Sequence, residues 1–102
     1  MYVAMNRFRV APGHADAFVQ MWRERDSRLR EVPGFREFRL LRGAEAPEAV
    51  VFISHSTWES RAAFTAWTES ESFRQAHARA RAPEGMYLGP PNFEGYESVL
   101  EG

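Results

Sequence analysis

Tyr2-Val3-Ala4-Met5-Asn6-Arg7-Phe8-Arg9-Val10 alternates as a β-strand does: Tyr2, Ala4, Phe8 and Val10 share one face, and Arg7 and Arg9 lie on the other. Asn6 falls on the apolar face. Pro12-Gly13 breaks the strand, and from His14 to Glu31 the apolar residues Phe18, Met21, Trp22 and Leu29 recur at helical spacing, with Arg25 interrupting the stripe. Pro33-Gly34 ends that helix. A strand over Phe35 to Leu41 follows, with Phe35, Leu41, Glu37 and Arg39 on one side and Phe38 and Leu40 on different faces, and Gly43 to Ala49 reads as a turn.

Val50-Val51-Phe52-Ile53 is apolar without alternation, the pattern of a strand covered on both faces. Ser60 is placed to cap a short helix containing Ala63, Phe64 and Trp67, and Ser70 a second one running through Phe73, Ala76, His77 and Ala80. Pro83, Gly85, Gly89, Pro90 and Pro91 mark a loop, and Phe93 to Leu100 resumes as a strand. The order β-α-β-β-α-α-β, with right-handed crossovers, gives an α+β ferredoxin-like antiparallel sheet with its helices on one face. Residues 1–102 read as a single domain without repeat or linker. The sheet face left bare is apolar, and a twofold homodimer packing sheet on sheet is the simplest closed arrangement that covers it.

A chain of 102 residues builds only a modest core, so a large ligand pocket consumes much of it. The formal net charge of -1 supplies no long-range field toward nucleic acid or a membrane surface, and neither is expected as a partner. All 13 basic residues are arginine, which suits bidentate binding of carboxylates as well as reflecting codon bias. The absence of cysteine excludes disulfides, thiolate nucleophiles, Fe–S clusters and cysteine-ligated zinc. The N-terminus lacks the basic and apolar regions of a secretory signal and no stretch is long enough to span a bilayer, so a cytoplasmic location is expected.

His77 lies one helical turn after Phe73, flanked by the small residues Ala76, Ala78 and Ala80, where a flat ligand has room to approach. A lone histidine in such a place is more often a half-buried surface residue. Asn6 is either a core amide bonded to nearby backbone or a donor facing a cavity. Trp67, with Phe64 one turn before it, is either core filling or a ligand wall, as are Trp22 and Trp58. His14 and His55 are also potential site histidines, without a recognisable partner. No phosphate-binding glycine loop, metal-ligand spacing or serine elbow is present, so chemistry rests on a bound cofactor or on the substrate.

The segments Ala4-Met5-Asn6-Arg7-Phe8, Pro33-Gly34-Phe35, and the run Trp58, Glu59, Ser60, Ala63, Phe64, Trp67, Ser70, Phe73, Ala76, His77 together resemble the IsdG-type haem-degrading monooxygenases. These belong to the wider antibiotic biosynthesis monooxygenase superfamily of dimeric α+β barrels. The resemblance covers nearly the whole chain, and its third segment is the specific one. It implies that haem is both cofactor and substrate, cleaved with O2 and electrons from an external donor to a bilin-type product with release of iron. It also implies that His77 is the proximal iron ligand, that Asn6 is the hydrogen-bond donor on the opposite side, and that Trp67 distorts the macrocycle. Phe64 and Phe73 fall within the haem site, Arg25 matches an arginine of the family's first helix, and Trp22 stands where the family usually has phenylalanine. Two alternatives stay open: a cofactor-free oxygenase of the same superfamily acting on an electron-rich organic substrate, and a non-catalytic haem-binding protein.

Overall fold

The structure, a computed structural model, describes residues 1–25, 28–71, 73–74 and 83–102. Four strands form one antiparallel sheet: β1 (Tyr2–Val10), β2 (Phe35–Ala46), β3 (Ala49–Trp58) and β4 (Asn92–Glu97), in the spatial order β2-β3-β1-β4. Helices α1 (Ala15–Glu24) and α2 (Arg61–Thr68) connect β1 to β2 and begin the connection from β3 to β4. This is the α+β ferredoxin-like arrangement expected from the pattern. β1 and β3 are central, with Tyr2 opposite Trp58 and Val10 opposite Val50, and they carry most of the buried apolar side chains.

Period-two alternation sends Tyr2, Ala4, Asn6, Phe8 and Val10, with their β3 partners Trp58, Ser56, Ser54, Phe52 and Val50, to the face that both helices cover. The core on that face is divided. Phe18 of α1 packs with Val10, Val50, Phe52 and Met86, whereas Trp58, Tyr2 and Ala4 gather Phe64 and Trp67 of α2. Asn6 and Ser54 face one another across the strands between these clusters. On the opposite face Val3, Met5, Val51, Ile53 and His55 have no covering element among the described residues.

Four boundaries differ from the sequence reading. The first helix stops at Glu24 instead of Glu31: Arg25 is extended, Arg28 adopts the left-handed region, and Leu29–Glu31 form a separate 3-10 turn. The break has a packing reason, since Leu29 joins the Trp58 cluster with Val32 and Phe35, away from the Phe18 cluster that α1 serves. The strand from Phe35 runs on to Ala46, and its turn is confined to Pro47-Glu48. Gly43 lies flat in that strand, where an added Cβ would stand 3.3 Å from the Val51 carbonyl oxygen, next to an irregularity between Arg42 and Glu45.

A second irregularity, between Phe35 and Glu37, turns Phe35 toward Trp58 and away from the face shared by Glu37, Arg39 and Leu41. Phe38 and Leu40, read as lying on different faces, oppose Ser56 and Ser54 and so both face the helices, as a period of two requires. The last strand ends at Glu97 instead of Leu100, and Val99 and Leu100 are exposed. Both serine caps form as expected: Ser60 Oγ accepts the Ala63 amide at 3.1 Å and Ser70 Oγ accepts that of Phe73 at 3.2 Å. Beyond Arg74 the expected second helix, His77 included, lies outside the described residues.

Candidate functional site

Between the two core clusters lies a cavity of about 450 Å3. Its floor is the sheet: Ala4 and Asn6 from β1 with Ser54 and Ser56 from β3. Small residues at four adjacent positions of the helix-covered face leave the space, because α1 and α2 each pack on larger neighbours to one side. One wall is Trp22 stacked on Phe38, with centroids 5.6 Å apart and planes 18° from parallel. The other is built from α2 and its continuation. Trp67 lies 5.3 Å from Trp58 and meets Phe73 edge-on at 4.8 Å, and Phe64 stacks on Phe93 at 5.6 Å.

The polar groups are few. Asn6 is half-buried, and its side-chain amide makes no hydrogen bond to any described residue. Trp22 Nε1 is buried without an acceptor among the described residues. The Arg25 guanidinium lies 4.3 Å above the Trp22 ring. Burial pushes its pKa below the ordinary guanidinium value, opposed by Tyr87, and no described carboxylate pairs with it. A partly desolvated cation without a counter-ion favours an anionic group on whatever enters. The slot is therefore suited to a planar, mainly apolar molecule with at least one acidic substituent, and its volume is in the range of small-molecule sites, roughly 300–1,000 Å3.

Asn6, Trp22, Arg25, Phe64, Trp67 and Phe73, singled out from the sequence, all line this one cavity. His77, four positions beyond Phe73, lies outside the described residues. His14 and His55 do not reach the cavity; His55 is on the face of the sheet away from the helices. The sequence reading missed Phe38, Phe93, Ser54 and Ser56 as lining residues. The serines carried a legible signal, since they end an apolar run with small polar residues spaced by two. Phe38 and Phe93 carried none, because their place depends on strand order and on the irregularity at Phe35.

Fold and cavity define a ferredoxin-like α+β protein with an aromatic slot between its helices and its sheet. The chain belongs to the antibiotic biosynthesis monooxygenase family, whose family model matches residues 1–79. A heme-degrading monooxygenase of Shouchella clausii is 28% identical over 89 residues, covering 87% of this chain and 82% of the relative. A mycobilin-producing heme oxygenase of Mycobacterium tuberculosis is 32% identical over 80 residues, covering 78% of this chain and 73% of the relative. Among solved structures, the heme-degrader MhuD from Mycobacterium tuberculosis, with two hemes bound in its active site, superposes with a TM-score of 0.77. It is 28% identical, and the match covers 99% of this chain and 98% of that one.

Proposed function

We propose that this protein is a haem-degrading monooxygenase that opens the porphyrin to a bilin-type product and releases iron. The observation that carries the reading is the convergence of Asn6, Trp22, Arg25, Phe64, Trp67 and Phe73, drawn from three separate segments of sequence, on one aromatic-walled cavity. The donor set fits the molecule: two aromatic walls for a planar macrocycle, a polar floor, and a guanidinium without an ion pair among the described residues for a propionate. Haem, when bound, supplies the iron that activates O2 and is itself the molecule oxidised, with electrons from an external donor.

The residues divide the work. His77 would hold the iron through a neutral imidazole. Asn6, on a strand paired on both sides, lines the cavity and has no competing partner among the described residues; it would act as a dipole and not as a proton source. Trp67 lines the cavity and is held by Trp58 and Phe73, and there it would press on the macrocycle; distortion of the ring is one lever on its reactivity. Arg25 would pair with a carboxylate at the rim. The uncovered face of the sheet would be covered by a second copy, giving the twofold dimer expected from its pattern.

The test is a haemin titration followed by absorption spectroscopy. The expected result is a Soret band saturating at one haem per chain, lost in His77→Ala, and bleached by ascorbate in the presence of catalase with release of iron. A stable ferrous spectrum under reductant would reduce the protein to a haem carrier, and no Soret shift at all would remove haem from the reading.

A further inference from the structure

Next to the cavity the surface opens into a second, wider groove of about 950 Å3, in which Arg25, Arg28, Arg30 and Arg36 outnumber Glu31 and Glu37. Arg25, Leu29 and Phe38 line both depressions, so the groove adjoins the mouth of the cavity. Of the two carboxylates, Glu37 is already engaged by Arg39 at 2.6 Å. None of the groove arginines forms an ion pair with a described residue. In a chain whose net charge is only -1, this is a local excess of positive charge among the described residues.

The groove comes from three kinds of local structure: the end of α1 for Arg25, the 3-10 turn for Arg30, and the irregular start of β2 for Arg36. Arg28 has φ of 52°, the one non-glycine residue with positive φ among the described residues. A long L side chain is disfavoured there, and such backbone persists mostly where a site requires it. The spread of the cations over residues 25–36 also matters. A small anion would meet one or two of them, whereas a protein surface can meet Arg28, Arg30 and Arg36 together, with Arg25 left to the cavity mouth.

We propose that this groove docks an acidic electron-donor protein, seated so that its redox centre faces the cavity mouth. The inference rests on the haem-degrading reading, because that reaction consumes electrons that must arrive from another molecule. In each encounter the donor is oxidised by one electron and ferric iron of bound haem becomes ferrous; no bond forms or breaks and no proton moves. Complementary charge would raise the encounter rate and fix the orientation, and salt would weaken it, since the screening length falls to about 8 Å at physiological ionic strength.

The experiment uses the full chain without haem and, as probe, an acidic flavodoxin; affinity is read by surface plasmon resonance at low and high salt. Arg28→Glu combined with Arg36→Glu is expected to weaken binding roughly tenfold or more at low salt and to flatten the salt dependence. Arg28→Lys with Arg36→Lys retains most of the affinity, and Arg61→Glu, at the start of α2, leaves it unchanged. Arg30→Glu with Arg36→Glu repeats the test without touching the strained residue. In haem-loaded protein the reversed variants keep the haemin spectrum and ascorbate-driven bleaching, while flavodoxin-driven reduction slows with the lost affinity. Parent-like flavodoxin binding in both reversed variants would overturn the proposal, as would saturable binding of pyrophosphate that displaces flavodoxin from the same arginines. Arginine-dependent flavodoxin binding by a chain that never takes up haemin leaves the groove assignment standing and rejects the haem reading. Haem turnover with ascorbate but no flavodoxin binding does the reverse.

Discussion

Asn6→Leu separates a structural amide from a functional one, because the two roles predict opposite signs of stability change. Asn6 is half-buried at the centre of the sheet, between Ser54 of β3 and Phe93 of β4, and its amide makes no hydrogen bond to a described residue. Leucine has the same branched outline, so the substitution replaces a half-buried amide with apolar surface and leaves no described partner stranded. It should therefore stabilise the fold by about 1 kcal/mol, which for a chain of this size raises Tm by roughly 4–8 °C. Haemin affinity should stay within about threefold, because the aromatic walls and the proposed ligand His77 are unchanged. The cleavage rate should fall about 100- to 1,000-fold, the usual cost of removing one preorganised donor. Calorimetry, haemin titration and single-turnover bleaching with ascorbate measure the three quantities. A variant less stable than the parent would show that the amide is structural, and one that bleaches at the parental rate would show that no donor is needed there.

Further outcomes follow from individual packing features. Gly34 has φ of +81° and an added Cβ would stand 2.5 Å from that of Ala63, so Gly34→Ala should cost about 1–3 kcal/mol, read as a lower urea midpoint with unchanged slope. Equal midpoints would mean that α2 shifts freely away from the turn. Ser70→Ala removes the cap on the Phe73 amide and should cost about 1 kcal/mol; a several-fold loss of haemin affinity should accompany it, and unchanged affinity would detach the Phe73 segment from the site. Burial holds the Tyr87 phenol above its usual 10.0, partly offset by the Arg25 charge. A pKa raised by folding means that Tyr87 contributes its stability below about pH 10 and loses it as pH rises through the folded value. Tyr87→Phe should accordingly flatten the alkaline decline in Tm, and a parallel decline in both proteins would reject that origin.

Much of the cavity's lining was legible in the sequence because it is carried by rare residues at regular spacing. Asn6 interrupts an alternating strand, and Phe64, Trp67 and Phe73 follow serine caps that form as written. The bare sheet face was legible for the same reason, as the odd-numbered apolar residues of the central strands have nowhere else to go. The arginine groove was not, since nothing in the spacing of Arg25, Arg28, Arg30 and Arg36 says that they converge.

Periodicity and caps are properties of neighbouring residues, so the sequence alone determined the kind and order of the elements, the polar residue in the opening strand, and the aromatic character of the late helical segment. Tertiary structure decided where the elements stop and what meets across them. It broke the first helix after Glu24 so that Leu29 joins a different cluster from Phe18. It turned Phe35 inward at an irregular strand pairing and stacked Phe38 on Trp22. The physical reason is common to these cases: burial is settled between residues distant in sequence, and a core that gathers at two ends of one sheet leaves its middle open.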